Sequence, residues 1–199
     1  MALVLAAPSA RALTLADLDG GASFAAGSLL FSNFDVTAAG DVSLDLADYP
    51  VQILADGFRL SGPLAVLLGD AGTLLVSYTV SALAPVIAGA ALFAPAQTIG
   101  DGAQAWVAET LLDAGNAPLG SLFTFDVEGY GASPFAGALF APVSAVQVVK
   151  TVNVASGFFS ALPLVDQRFL VVPEPLTLAL LALGLGGLAA WGRRHEAHA

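Results

Sequence analysis

The sequence predicts a mostly β protein: an antiparallel β-sandwich or open barrel followed by a single C-terminal transmembrane helix. Three observations predict it. Several segments alternate apolar and polar residues, glycine-rich turn signals separate them, and one long uncharged apolar run lies near the end of the chain. Successive side chains of a strand point to opposite faces, so strict alternation marks a sheet with one wet face.

The elements follow in chain order. Asp41-Val42-Ser43-Leu44-Asp45-Leu46 alternates strictly and reads as a half-buried strand. Leu74, Val76, Tyr78, Val80 and Ala82 form an apolar face opposed by Ser77, Thr79 and Ser81. Gln104 to Ala114 is ambiguous. Asp101 near its start and Gly115 after it fit a helix, while Trp106 and the Leu111-Leu112 pair fit a strand pair nearly as well. Phe123, Phe125 and Val127 read as the apolar face of another strand, against Thr124, Asp126 and Glu128. Val146, Val148, Val152 and Val154 alternate with Gln147, Thr151 and Asn153. Gly69-Asp70-Ala71-Gly72 and Gly100-Asp101-Gly102 supply turns between strands. Many antiparallel strands of this kind build a sandwich or barrel.

A partial internal repeat supports the sheet. Leu75-Val76-Ser77-Tyr78-Thr79-Val80 aligns with Leu122-Phe123-Thr124-Phe125-Asp126-Val127 at an offset of 47, and Ala91-Leu92-Phe93-Ala94-Pro95 recurs as Ala138-Leu139-Phe140-Ala141-Pro142 at the same offset. Two copies are too few for a solenoid. Related hairpins on facing sheets fit, and chance similarity in an Ala-rich chain is the rival.

Lys150 breaks the apolar register of Val146, Val148, Val152 and Val154 and points inward with them. An edge strand guarded by an inward charge is one account. A salt bridge to an acidic side chain is a second. An isopeptide crosslink to Asn or Asp, as in some surface β-domains, is a third.

Composition narrows function. Between Leu13 and Val172 lie about 160 residues, enough for one sizeable core. Fourteen Asp or Glu there face only Arg59, Lys150 and Arg168, a net charge of −11, which excludes a phosphate-binding nucleic-acid partner. The chain has no cysteine, hence no disulfide framework and no thiolate nucleophile. Its two histidines, His195 and His198, lie beyond the apolar run. Ser-His chemistry and His-ligated zinc are therefore closed to the preceding domain, and a paired-carboxylate glycosidase is the enzyme class left. Calcium candidates are Asp17-x-Asp19-Gly20 and the set Asp41, Asp45, Asp48, though neither has the EF-hand spacing and a solvated face reads better. No metal or other cofactor is expected. Trp106, Tyr49 and Tyr130 are the aromatics available for stacking on a sugar, whereas the Phe side chains on apolar faces read as core.

The C-terminal 27 residues read as an address. Pro173-Glu174-Pro175 precedes an uncharged run from Leu176 to Trp191, and Gly192-Arg193-Arg194 follows it. Sixteen helical residues span roughly 24 Å, a little short of a ~30 Å hydrocarbon core. Arg193 and Arg194 place the tail in the cytoplasm and the preceding residues outside. Pro175 suits a first helical turn. Ala182, Gly186 and Ala190 put small side chains on one helix face, where another membrane helix can approach.

Val172-Pro173-Glu174-Pro175, the Leu/Ala/Gly run and the terminal Arg pair together resemble the PEP-CTERM sorting signal of Gram-negative bacteria. The resemblance implies that residues 173–199 are a sorting signal whose Pro173-Glu174-Pro175 motif is recognised by exosortase, a membrane-embedded cysteine peptidase. It also implies that the helix and tail are removed, much as in a GPI signal. The precursor then resides in the inner membrane and the product at the cell surface or in an extracellular matrix that typically holds exopolysaccharide. More loosely, Phe31-Ser32-Asn33-Phe34, Leu75–Val80, Val146-Gln147-Val148-Val149-Lys150-Thr151 and Arg168–Val172 resemble strand patterns of one group of such proteins, which implies a shared β-rich domain and no catalytic residue.

Residues 1–12 are expected to be the remnant of a signal peptide. Ala2 to Ala7 is apolar, and Ala10-Arg11-Ala12 has the small-x-small form of a signal-peptidase site. No basic n-region precedes it, so Met1 reads as a late start, a frayed first strand being the alternative. The expected protein is thus a non-enzymatic exported β-domain (residues 13–172), secreted and processed through its sorting signal. The alternative is an extracellular carbohydrate-binding module or a weak glycan-active enzyme on the same route.

Overall fold

The computed structural model describes residues 12–83 and 86–173. Among these, fifteen strands form a β-sandwich of two main sheets with a third, smaller sheet. Every strand pair is antiparallel. The larger sheet runs β1 (Phe24–Ala26), β2 (Leu29–Gly40), β6 (Ala71–Ala82), β13 (Ala145–Ala155), β9 (Gln104–Leu112), β10 (Pro118–Val127), β11 (Gly131–Ser133). The facing sheet runs β12 (Phe135–Val143), β7 (Val86–Phe93), β15 (Leu164–Val172), β4 (Gly57–Ser61), β3 (Val51–Ile53). The small sheet, β5 (Ala65–Leu67), β14 (Phe159–Ala161) and β8 (Gln97–Ile99), caps one end: short turns join its strands to β6, β13 and β9.

The clean alternations hold. Leu74, Val76, Tyr78 and Val80 of β6 and Val146, Val148, Val152 and Val154 of β13 are buried, and they meet Phe58, Leu60, Leu92, Val165 and Phe169 of the facing sheet. Gly69-Asp70 and Gly100-Asp101-Gly102 fall between strands, while Ala71 and Gly72 begin β6. A cluster of Phe24, Phe31, Phe34, Phe58, Tyr78 and Phe169 fills one part of the core, with neighbouring ring centroids 4.8 to 6.2 Å apart. Phe31 and Phe34 are three residues apart, yet both point inward. Asn33 makes this possible by adopting φ 56, and the pairing with β6 shifts register between Ser32 and Asp35. A bulge of this kind inserts a residue and returns the next side chain to the same face.

Three expectations are corrected and one ambiguity is resolved. Asp41–Leu46 is a loop leading into a 3-10 turn at Leu46–Asp48: Val42 is buried, Leu44 is exposed, and the loop caps itself with side chains in place of pairing with a strand. Within the ambiguous stretch Gln104–Ala114, Gln104–Leu112 form strand β9 and Asp113 and Ala114 begin the turn after it. In β10 the face is reversed: Leu122 and Thr124 are buried while Phe123 is 53% exposed. And β13, the strand of Lys150, is the central strand of the seven, so edge protection does not explain that residue. One element was not expected at all, the short helix α1 (Leu15–Asp19). Thr14 caps it and Asp17 reaches back to the Thr14 N–H at 2.9 Å, a capping box that buries Leu15 and Leu18.

No helix among the described residues is long and apolar enough to cross a membrane. Ala10, Glu174, Pro175, the run Leu176–Trp191, Arg193 and Arg194 lie outside the described residues. Ala12 and Pro173 lie within them and are exposed.

Candidate functional site

The first site lies inside the sandwich. Lys150 on β13 stands directly opposite Glu109 on β9 in the strand register, and both side chains point into the core. Lys150 Nζ is 3.0 Å from Glu109 Oε2, with the two side chains 3% and 0% exposed. From the facing sheet Gln167 on β15 completes the group, and Lys150 Nζ donates to Gln167 Oε1 at 2.5 Å. The Phe58 ring lies 6.0 Å from the ammonium. Gly57 sets the approach: a Cβ there would run into the Gln167 carbonyl oxygen, so only glycine lets β4 pair so closely with β15.

This group holds charge in an apolar setting. Burial pushes the Glu109 carboxyl above its ordinary value, while attraction to the Lys150 ammonium opposes the rise. Burial pushes the Tyr78 phenol well up, and the Glu109 charge adds to it. Glu109 Oε1, Gln167 Nε2 and Tyr78 Oη have no hydrogen-bond partner among the described residues. Two charges removed from water gain little net stability from each other, and an incomplete polar network is worse than an apolar core. Of the accounts given for Lys150, the salt bridge is the one observed.

The second site is on the outer face of the same sheet. Trp106 on β9 lies opposite Phe125 on β10 and Asn153 on β13 in the register. Phe123 extends the row: its ring is 6.2 Å from Trp106 and 5.7 Å from Phe125, nearly parallel to the latter. Asn153 Nδ2 donates to Thr73 Oγ1 at 3.0 Å beside it. The result is an aromatic stripe bordered by amide and hydroxyl groups on an open sheet face. Sequence reasoning singled out Trp106 and assigned Phe123 and Phe125 to the core. Of the other two aromatics considered for sugar stacking, Tyr49 is buried, with its hydroxyl on Ser43 O at 2.8 Å. Tyr130 stands exposed on the turn between β10 and β11.

A shallow groove of about 370 Å³ crosses the outer face of the five-stranded sheet, between Leu139 and Leu170 over Gly89 and Gly137, with Arg168 and Asp56 at its side. Those two pair at 3.1 Å. A stronger pair lies nearby: Arg59 donates from Nε and Nη2 to both Asp166 oxygens, at 2.6 and 2.8 Å, across β4 and β15. It fixes the strand whose next residue is Gln167.

The acidic residues considered for calcium serve the backbone. Asp17 belongs to the capping box, and Asp19 Oδ1 accepts from the Val36 N–H at 2.8 Å. Asp41 accepts from the Ala71 N–H, Asp45 from the Ala47 N–H, and Asp48 from the Ser43 hydroxyl. Among the described residues no group of three or more acidic or histidine side chains is placed to hold a metal ion.

No family model and no curated protein matches the sequence. Solved structures show distant likeness. A TmCBM61 structure in complex with β-1,4-galactotriose is 11% identical with a TM-score of 0.39, over 69% of this chain and 88% of that one. The CsCBM6-3 module of Clostridium stercorarium, in complex with cellobiose, is 12% identical with a TM-score of 0.27, over 75% and 97%. The enzymatically active domain of bacteriophage CBA120 tailspike protein 4 is 16% identical with a TM-score of 0.34, over 69% of this chain and 19% of that one. Likeness at these scores says nothing of what this chain does.

Proposed function

We propose that this chain is a non-enzymatic exported protein of the cell surface or extracellular matrix, sorted and processed by exosortase through residues 173–199. The observation that carries the reading is the order of the C-terminal features: motif, uncharged run and basic pair. Strand β15 ends at Val172, and exposed Pro173 follows with no linker between them. Pro173 disfavours helix at Val172, in keeping with the strand that runs to that residue. The test is fractionation of a host with its exosortase and of the same host lacking it. Release of wild-type protein to the surface should require the enzyme. Pro173→Ala with Pro175→Ala, or deletion of Arg193 and Arg194, should leave full-length protein in the inner membrane. Equal release in both hosts would show an ordinary anchor or a general protease.

A second reading concerns the domain itself: a glycan-binding module that uses the Trp106, Phe125 and Phe123 stripe. The observation that favours it is the packing of half-buried Trp106 and Phe125 with exposed Phe123 on a sheet face beside Asn153 and Thr73. Sugar rings present apolar C–H faces to aromatic rings and hydroxyls to polar neighbours, the mix found in small-ligand sites. Retarded migration in gels containing the host's exopolysaccharide would support it. Unchanged migration across a panel of acidic and neutral polysaccharides would reject it.

A further inference from the structure

We propose that Lys150 and Gln167 join in an intramolecular isopeptide bond, with Glu109 as the acid–base group. Three observations carry it: an amine and a carboxamide in contact across the sandwich, a carboxylate against the amine, and an apolar enclosure around all three. The contact is close. Nζ lies 2.5 Å from Oε1, and the ~1.23 Å carbonyl bond then bounds its distance from Cδ at about 3.7 Å. That is near the separation of reacting atoms in an attack geometry. The sequence alone pointed to Asn or Asp as the acceptor, whereas the structure supplies Gln167 on the opposite sheet.

The chemistry balances without an oxidant, reductant or co-reactant. The Lys150 ammonium passes a proton to Glu109, giving a neutral amine and a neutral acid, a transfer that burial favours. The Nζ lone pair attacks Gln167 Cδ and forms the new C–N bond. Glu109 takes a proton from Nζ and delivers one to Nε2, so that the Cδ–Nε2 bond breaks and ammonia leaves. Glu109 ends protonated, and a buried ion pair has become a neutral amide beside a neutral acid. Gln167 Nε2, the group that must leave, is buried without a hydrogen-bond partner among the described residues. Burial of Glu109 assists its neutral form.

The bond would tie the central strand of one sheet to β15 of the other. Since β15 runs to Val172, it would clamp the strand that leads into the sorting motif.

The experiment is tryptic mass spectrometry of the full-length protein after denaturation. An unlinked chain is cut after Lys150 and yields fragments 60–150 and 151–168. A linked chain resists that cut and yields a single 60–168 fragment lighter by about 17 Da, the ammonia lost. Separate 60–150 and 151–168 fragments at full mass from wild type would overturn the proposal. Glu109→Gln and Gln167→Leu should both yield the unlinked pair. If Glu109→Gln still gives the light fragment, Glu109 is not the acid–base group, and that part of the proposal falls.

Discussion

The two faces of the large sheet part company at β9. On β6 the usual division holds, with Leu74, Val76, Tyr78 and Val80 inside and Thr73, Ser77 and Thr79 outside. On β9 and its neighbours β13 and β10 it carries exceptions on both faces. Glu109 and Lys150 are sealed in the core, while Trp106, Phe123 and Phe125 line the outer face. Buried charge and exposed aromatic surface are the informative departures from an ordinary burial pattern. Both fall on the same three strands, back to back.

The inner exception gives the largest expected effects. In the Gln167→Leu background, where no crosslink can form, Lys150→Met leaves Glu109 buried without its counter-charge, and breaking a buried pair in this way costs about 3–5 kcal/mol. Lys150→Met with Glu109→Met replaces both charges by apolar volume and should recover most of that loss. Urea unfolding of the two single variants and the double one measures the coupling. Additive effects would show that the pair is not the unit described.

The same pair predicts a pH dependence, smaller because it acts through one proton. The folded value of Glu109 is raised, so between the ordinary 4.5 and that folded value the native state holds a proton the unfolded chain has lost. Unfolding free energy from this group therefore falls as pH rises through the window and levels off above it. Glu109→Gln removes the slope. Chemical denaturation at a series of pH values, wild type against variant, checks the sign: a slope that Glu109→Gln leaves unchanged belongs to other groups.

On the outer face, Trp106→Ala should weaken glycan binding about tenfold, or ~1.4 kcal/mol. Migration in polysaccharide gels reads the loss, and unfolding curves confirm that the domain remains folded. A loss matched by Tyr130→Ala, whose ring stands apart on a turn, would place the contact elsewhere.

How much of this was legible in the sequence differs between the faces for physical reasons. The inward set of β6 and β13 could be read because their apolar residues share one parity without competitors. Lys150 could be placed inside by the same register. Its partners were harder: Glu109 sat in a stretch that fitted helix or strand, and Gln167 reaches Lys150 only through the stacking of two sheets, which leaves no local mark. On β10, Leu122 competes with Phe123, Phe125 and Val127 for the inward face. Ring size favoured the wrong parity, and pairing with β9 decided it by setting Leu122 opposite Glu109 and Thr124 opposite Val107. A shift of one residue reverses a whole strand. That also explains the repeat: the copies occupy β6 with β7 and β10 with β12, one strand in each main sheet, but Leu75 is exposed where Leu122 is buried, and Leu92 is buried where Leu139 is exposed. Asp41–Leu46 alternates equally well and is a loop, because alternation makes a strand only when another strand offers its hydrogen bonds.

Phe123→Ser offers the smallest effect and the finest distinction. The ring is more than half exposed and touches the core little, so its loss should change stability by no more than about 0.5 kcal/mol. If the stripe binds glycan, Phe123 lies at its end, next to Phe125 and away from Asn153, and its removal should weaken binding less than Trp106→Ala does. If the stripe is instead a surface that copies of this chain share, Phe123→Ser should leave polysaccharide migration unchanged and shift sedimentation toward the monomer. The paired measurement, gel retardation and sedimentation velocity on the same variant, assigns the outer face to one use. A variant unchanged in both would mean that the exposed aromatics on β10 contribute to neither, and that the exceptions on this side of the sheet end at Trp106.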